Sequence, residues 1–178
     1  MDEVLPTMAA GFGMVGLAGT VLWPLLRTRR ALLLGQAASA AAFVLHYALI
    51  GATTGAWVTT LSIVQAILAF PEHRPRWRAL VYLLSAPGLL WATAATWQGA
   101  ESAFAGAGMA LASLGRWGRT AAAVRVPFLL AAGAWAVHDA LVLSLPGLGA
   151  DLLCAATLAA GYRRDRALAA LPPASSSC

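Results

Sequence analysis

Residues 133–164 read GAWAVHDALVLSLPGLGADLLCAATLAAGYRR, which is two apolar segments joined by a Pro-Gly corner. Three ionisable residues, His138, Asp139 and Asp151, interrupt this otherwise apolar sequence. An ionised Asp near the middle of a bilayer costs about 2.5–3.5 kcal/mol, so such a residue normally faces the bundle interior or water. The stretch therefore predicts two membrane helices that carry polar groups on an inward face.

A similar pattern occurs 92 residues earlier, where residues 41–70 read AAFVLHYALIGATTGAWVTTLSIVQAILAF. At this offset His46 aligns with His138, and both histidines are followed, after one residue, by Ala-Leu. Each histidine is also followed, nine residues later, by a glycine, Gly55 or Gly147. The match predicts that the chain contains two related helical units.

Composition places the whole chain in a membrane. Of the residues, 60% are hydrophobic and only 11% are charged, and the mean hydropathy is +0.74. Soluble domains carry about 25% charged residues, so a surface this poor in charge faces something other than water. The 178 residues leave room for one domain of roughly six to eight membrane helices. A soluble enzyme or a soluble nucleic-acid-binding protein is excluded.

The apolar segments predict an all-α polytopic membrane protein with seven transmembrane helices. Their boundaries are set by arginines, prolines and short glycine-containing turns, and Pro87 is expected to kink the fourth helix. The predicted segments are residues 5–26, 31–50, 56–70, 79–97 and 102–114, a sixth that follows Arg125 and ends near 145, and a seventh at 148–162.

The arginines predict how these helices cross the membrane. The chain has no lysine, and its 12 basic residues follow helices one, three, five and seven. The other face carries Asp2, Glu3 and Glu101 and no basic residue. Because basic residues concentrate in cytoplasmic loops, the N-terminus is expected outside and the C-terminus in the cytoplasm. The basic character of the chain is thus explained by topology, and no nucleic-acid partner is expected.

Seven helices and an offset of 92 divide the chain into three, one and three helices. We expect a first three-helix repeat at residues 1–71, a linker helix four at 72–98, a second three-helix repeat at 99–166 and a disordered cytoplasmic tail at 167–178. Because helix four crosses the membrane alone, both units enter from the same side. This is a parallel repeat about an axis along the membrane normal.

Four stretches together resemble a known family. They are GFGMVGLAGT at residues 11–20, His46 with Gly51 and Gly55, Trp135-Ala-Val-His138 followed by Asp139, and Asp151 after Gly147 and Gly149. Because these four stretches occur in this order, the chain resembles the bacterial inner-membrane YgjV family. That family is part of the wider SWEET, PQ-loop and MtN3-like group, which includes nicotinamide-riboside-type vitamin transporters. The resemblance covers about residues 5–166 and implies a SWEET-like fold in the bacterial inner (plasma) membrane.

The resemblance does not extend to sugar specificity. SWEET proteins place an Asn in the third helix of each repeat. This chain has Ser62 or Thr59 in helix three, and Asp151 or Cys154 in helix seven. The resemblance therefore implies a fold and not a particular substrate.

The candidate substrate-binding residues are the polar and aromatic groups of helices two, three, six and seven: His46, His138, Asp139, Asp151, Trp135, Gln65 and Ser62. If they line one cavity, carboxylates and an aromatic surface suit a small polar or cationic solute, and histidine protonation is a means of gating. The competing interpretation is structural. Each histidine then ties helices together, and Asp151 is a helix N-cap or first-turn carboxylate.

These residues favour a small-solute transporter or permease, with the lipid bilayer and a small polar solute as partners and no cofactor. We expect no enzymatic activity. Two alternatives remain from the sequence: a non-transporting receptor or scaffold of the same fold, and an intramembrane metal site or enzyme built from His46, His138, Asp139 and Asp151. Neither the histidines nor the cysteines have the local spacing of a metal site. Homo-oligomerisation stays open.

Overall fold

The computed structural model describes residues 4–73 and 75–169, and all regular secondary structure in this part of the chain is helical. It contains seven α-helices, with a short 3-10 turn, Trp23–Leu25, after the first. The helices are α1 (Val4–Leu22), α2 (Arg29–Leu49), α3 (Thr53–Ala69), α4 (Arg76–Ala95), α5 (Ala100–Arg116), α6 (Ala121–Leu141) and α7 (Leu145–Ala169).

Five segments are long and apolar enough to cross a membrane: Leu5–Leu25, Arg29–Leu49, Arg76–Ala95, Ala121–Leu141 and Leu145–Ala167. Helix α3 is apolar but shorter, at 17 residues, and α5 has the same length. Large apolar side chains cover the outside of the bundle, as on α4, where Leu90 and Trp91 are each 72% exposed. An apolar exterior around helices of this kind is the arrangement of a polytopic α-helical membrane protein.

Six of the helices pack into a ring. Going round it, α1 contacts α2, α2 contacts α3, α3 contacts α5, α5 contacts α6, α6 contacts α7, and α7 returns to α1. Helices α2 and α6 also meet across the ring, whereas α4 packs outside it against α3 and α5. This order surrounds the interior with side chains from the six ring helices.

The α2–α3 and α6–α7 hairpins correspond at an offset of 92: α2 and α6 match at both ends, and α3 and α7 match at their starts. Helix α2 spans Arg29–Leu49 and α6 spans Ala121–Leu141. Each begins after a threonine whose hydroxyl accepts a backbone N–H three residues on, and these N-caps are Thr28 and Thr120. The next helices then start at equivalent positions, Thr53 and Leu145.

The corners of the two hairpins also match. The second residue after the last helical one has positive φ in each, 78° at Gly51 and 56° at Leu143. The residues after them close equivalent backbone hydrogen bonds, from Ala52 N to Tyr47 O and from Ser144 N to Asp139 O, both of 2.9 Å. A glycine adopts this conformation freely, whereas Leu143 is held in it by the surrounding turn.

The structure corrects the predicted starts of helices three and seven. Helix α3 begins at Thr53 and α7 at Leu145, so Gly55 and Gly147 lie inside helices and not in turns. A Cβ at Gly55 would lie 2.9 Å from His138 Nε2, and one at Gly147 would overlap a neighbouring side chain. These glycines therefore permit close packing between helices, a role that the sequence does not distinguish from a turn.

Two further predictions about helix seven were wrong. Pro146 is in the first turn of α7, where its fixed φ and missing N–H are tolerated. Asp151 consequently follows that turn and is neither an N-cap nor a first-turn carboxylate. The helix also continues past the final arginines to Ala169, because arginine is a good helix former. The predicted disordered tail is therefore helical at residues 167–169, and residues 170–178 lie outside the described part.

Candidate functional site

A cavity of about 90 Å³ lies between the helices of the ring. By volume it holds several water molecules. Most of its lining positions are related in pairs by the offset of 92. The pairs nearest its polar groups are Phe43 with Trp135, Tyr47 with Asp139, Thr59 with Asp151, and Ser62 with Cys154. The cavity is thus built by equivalent positions of the two hairpins.

Two neighbouring carboxyl groups form one end of this cavity. Asp139 comes from α6 and Asp151 from α7, and the two groups interact directly. The Tyr47 hydroxyl of α2 donates a hydrogen bond of 2.8 Å to Asp139 Oδ1. Within the described residues, the buried Oδ2 atoms of both aspartates have no hydrogen-bond partner. Two acceptors therefore remain open to a bound proton, water molecule or solute.

Arg116, from the end of α5, forms the other end. It is 2% exposed, and its guanidinium lies 5.3 Å from the centre of the Phe128 ring. Its Nε donates to Gln36 Oε1 and its Nη1 to Gln65 Oε1, both at 3.0 Å. The cavity is therefore electrically polarised, with carboxyl groups at one end and a guanidinium at the other.

Aromatic side chains pack around the carboxyl end. Trp135 and Tyr47 are stacked, with ring centres 5.9 Å apart, and the His138 ring meets Trp135 edge-on at 5.3 Å. Phe43 stacks on the other side of Tyr47 at 5.6 Å. This cluster fixes the direction of the Tyr47 hydroxyl and gives the cavity a rigid aromatic wall.

The two histidines make equivalent bonds to the backbone. His46 Nδ1 bonds Ala9 O at 2.8 Å, and His138 Nδ1 bonds Glu101 O at 2.9 Å. A carbonyl only accepts, so in each ring Nδ1 carries the proton and Nε2 of the neutral ring is an acceptor. Ser144 Oγ lies 2.8 Å from His46 Nε2, whereas the buried His138 Nε2 has no partner in the described chain.

The predicted site residues divide into two groups. Ser62, Trp135, Asp139 and Asp151 line the cavity. The other three, Gln65, His46 and His138, are outside its lining. Gln65 lies behind it and holds Arg116, while the histidines connect helices through the bonds given above.

Tyr47 and Arg116 are among the lining residues that were not predicted as site residues from the sequence. Tyr47 is equivalent to Asp139 at the offset of 92, and the two side chains are hydrogen-bonded. The alignment that pairs His46 with His138 also pairs these two residues, so it could have identified Tyr47. Arg116 was assigned to topology alone, because a helix-terminal arginine normally extends to water. No sequence pattern indicates that its side chain turns inward.

The described residues contain no group of three or more His, Cys, Asp or Glu side chains that is arranged to hold a metal ion. The two histidines are directed to backbone carbonyls, and the two aspartates interact with each other. This donor set does not fit the metal-centre alternative raised by the sequence.

Comparison with known proteins gives one match. A family model for the bacterial inner membrane protein Imp-YgjV matches residues 7–168. No curated protein and no solved structure matches significantly. The family match covers nearly all of the chain, including every helix of the ring and both ends of the cavity. Together with the long apolar helices, it shows a multi-pass protein of the inner membrane. The chain belongs to the YgjV family of bacterial inner-membrane proteins.

Proposed function

We propose that the protein is a permease. It moves a small polar solute across the membrane through a pathway that lies between two three-helix units. The units are α1–α3 and α5–α7, with α4 as the linker, in the parallel arrangement of SWEET-like proteins. The matched hairpin bounds, corners and histidine bonds support this division. A solute site at the interface of two repeats is a common arrangement in secondary transporters.

One observation carries the proposal. Six buried side-chain polar atoms have no partner among the described residues, and three of them, Ser62 Oγ, Asp139 Oδ2 and Asp151 Oδ2, belong to residues that line the cavity. A buried polar group without a hydrogen bond costs about 1–3 kcal/mol, so a purely structural core would pair or remove it. Unpaired groups around a cavity are accounted for by a solute or water that occupies it in part of a cycle.

Polar bonds join the two units at both ends of the bundle. At the carboxyl end the Tyr47–Asp139 hydrogen bond joins the two units. At the arginine end Arg29 of the first unit donates to Gly118 O at 2.7 Å, in the connection before α6. Arg125 of the second unit donates to Leu26 O at 2.8 Å, in the connection before α2. Bonds of this kind can be replaced by bonds to water. The two units therefore separate more readily at these contacts than at a packed apolar interface.

The proposed orientation follows from the arginines. They lie in or near the connections α1–α2, α3–α4 and α5–α6 and toward the end of α7, and we assign this face to the cytoplasm. The carboxyl end of the cavity then lies toward the outside and the Arg116 end toward the cytoplasm.

The test is uptake and binding in proteoliposomes, with wild type, Asp151→Asn and Asp139→Asn compared on a panel of small polar solutes. We expect Asp151→Asn to reduce the transport rate about tenfold, because the solute would lose one hydrogen bond to a charged group. Glu72→Gln, at an exposed position, is the control. Full activity and unchanged pH dependence in both site variants, when both are folded, would place the pathway elsewhere. A receptor or scaffold would move none of the solutes.

A further inference from the structure

The side chain of Arg116 points in an unusual direction. Arg116 is the last residue of α5, at the end of the bundle where most arginines lie. An arginine at such a position normally extends outward, with its charge in water. Here Nη1 contacts Met109 Sδ at 3.4 Å, two helical turns back into the bundle. The guanidinium is therefore directed back along α5 into the bundle and not outward to water.

The groups that receive this charge are all neutral. Arg116 donates to the amide oxygens of Gln36 and Gln65 and lies over the face of Phe128. No carboxylate in the described chain is within ion-pair distance of it, in contrast to Arg125, which is paired with Asp165. Burial of a charge without a counter-ion is strongly unfavourable. Arg116 is also held in place by Gln65, which accepts a second hydrogen bond from Ser113.

The carboxyl groups at the other end of the cavity are too distant to be the counter-ion. Phe128 marks the level of Arg116 on α6, and Asp139 lies on the same helix. Eleven residues of helix separate them, which is roughly 16 Å. Carboxylates and guanidinium groups stabilise each other strongly within about 4–6 Å. The cavity therefore offers an unneutralised cation at one end.

We infer that this end of the cavity binds the anionic group of the solute, a carboxylate or a similar small oxyanion. The guanidinium presents planar N–H donors that match the oxygens of such a group. Gln36, Gln65 and Phe128 hold the guanidinium at the cavity wall, so little side-chain ordering is needed on binding. This inference rests on the proposed function and narrows it: the solute is a small organic anion.

The experiment compares three probes of nearly equal size and different charge. Protein in nanodiscs is titrated with potassium acetate, acetamide and methylammonium chloride, and binding is measured by ligand-detected NMR, in a buffer whose anion is larger than the cavity. The variants are Arg116→Gln, Arg116→Lys and Arg119→Gln. Arg119, three residues away, is exposed and provides the matched control.

We expect wild type and Arg119→Gln to bind acetate more tightly than acetamide or methylammonium. Arg116→Gln should lose about 10- to 100-fold in acetate affinity, the range of one charged hydrogen bond, while Arg116→Lys retains part of it. Equal binding of acetate and acetamide by wild type overturns the inference, and so does wild-type acetate affinity in folded Arg116→Gln. If Arg116→Gln does not fold, the inference is tested by the preference of wild type for acetate over acetamide and by the acetate affinity of Arg116→Lys.

The two proposals fail in different ways. Transport or binding of methylammonium and acetamide, with no preference for acetate, overturns the anion site and leaves the permease intact. Failure of every solute of the uptake panel and of all three probes overturns both. A preference for acetate binding that depends on Arg116 supports the anion site, and uptake of a small anion that depends on Arg116 supports both proposals.

Discussion

The unpaired histidine nitrogen yields a quantitative prediction. His46 Nε2 bonds Ser144 Oγ at 2.8 Å, and the same hydroxyl accepts the Gly147 N–H at 3.1 Å, as the N-cap of α7. At the equivalent position of the first unit the residue is Ala52, which offers α3 no side-chain cap. His138 Nε2 has no partner in the described chain. We therefore expect Ala52→Ser to supply both missing hydrogen bonds.

The expected gain is the sum of two terms. Replacement of Ala by Ser at an N-cap stabilises a helix by about 1 kcal/mol. A new hydrogen bond to the buried His138 Nε2 adds about 1 kcal/mol. Ala52→Ser should therefore raise the free energy of unfolding by about 2 kcal/mol. Few serine substitutions at a buried alanine are expected to stabilise a protein, so the sign alone is informative.

Equilibrium unfolding in mixed detergent micelles measures this change. The control is a double-mutant cycle with His138→Ala, in which only the helix-capping half of the gain should remain, about 1 kcal/mol. A destabilised Ala52→Ser protein would show that the two hairpins are not equivalent at this position. A gain of equal size with and without His138 would show that the hydroxyl caps α3 and does not reach the ring.

Three other predictions follow from the packing and the charges. Gly147→Ala should destabilise the protein by about 2 kcal/mol or more, since its methyl group would overlap a carboxylate, whereas Gly133→Ala, in open space, should stabilise it by up to about 1 kcal/mol; thermal unfolding of both variants checks the difference. Arg125→Gln should cost about 2 kcal/mol, because it removes a charged hydrogen bond between the buried Arg125 and the partly exposed Asp165, and chemical unfolding measures the change in the free energy of unfolding. In a background without native cysteines, Cys substituted at Thr53 should be labelled from outside and at Arg76 from the cytoplasm; labelling of both from one side would refute the proposed orientation.

Much of the helical organisation could be predicted from the sequence. Apolar length and arginine placement predict helices, and they locate all seven to within a few residues, apart from the longer α7. The boundaries that were wrong depend on tertiary contacts. A glycine such as Gly55 or a proline such as Pro146 is common both in a turn and near the start of a helix. The local sequence does not distinguish these positions, whereas the contacts with neighbouring helices do.

The candidate site was less predictable because it depends on side-chain direction. A polar residue in an apolar helix is expected to face the interior, and this reasoning identified Asp139 and Asp151. It does not distinguish a residue that lines a cavity from one that holds a neighbour, which is the difference between Ser62 and Gln65. Arg116 shows the same limit, since its position predicts a solvated charge and its rotamer places that charge inside the bundle.

The outer position of α4 has a consequence for how the bundle is encoded. Leu89 and Ala92 are its buried residues, and the ring closes through α3 and α5 without it. A peptide break within this helix would therefore leave the contacts among the ring helices intact. Two fragments synthesised separately, one ending and one beginning in α4, should complement each other in the same membrane. The single chain secures equal amounts of both halves, and the information that directs their assembly lies in the ring itself.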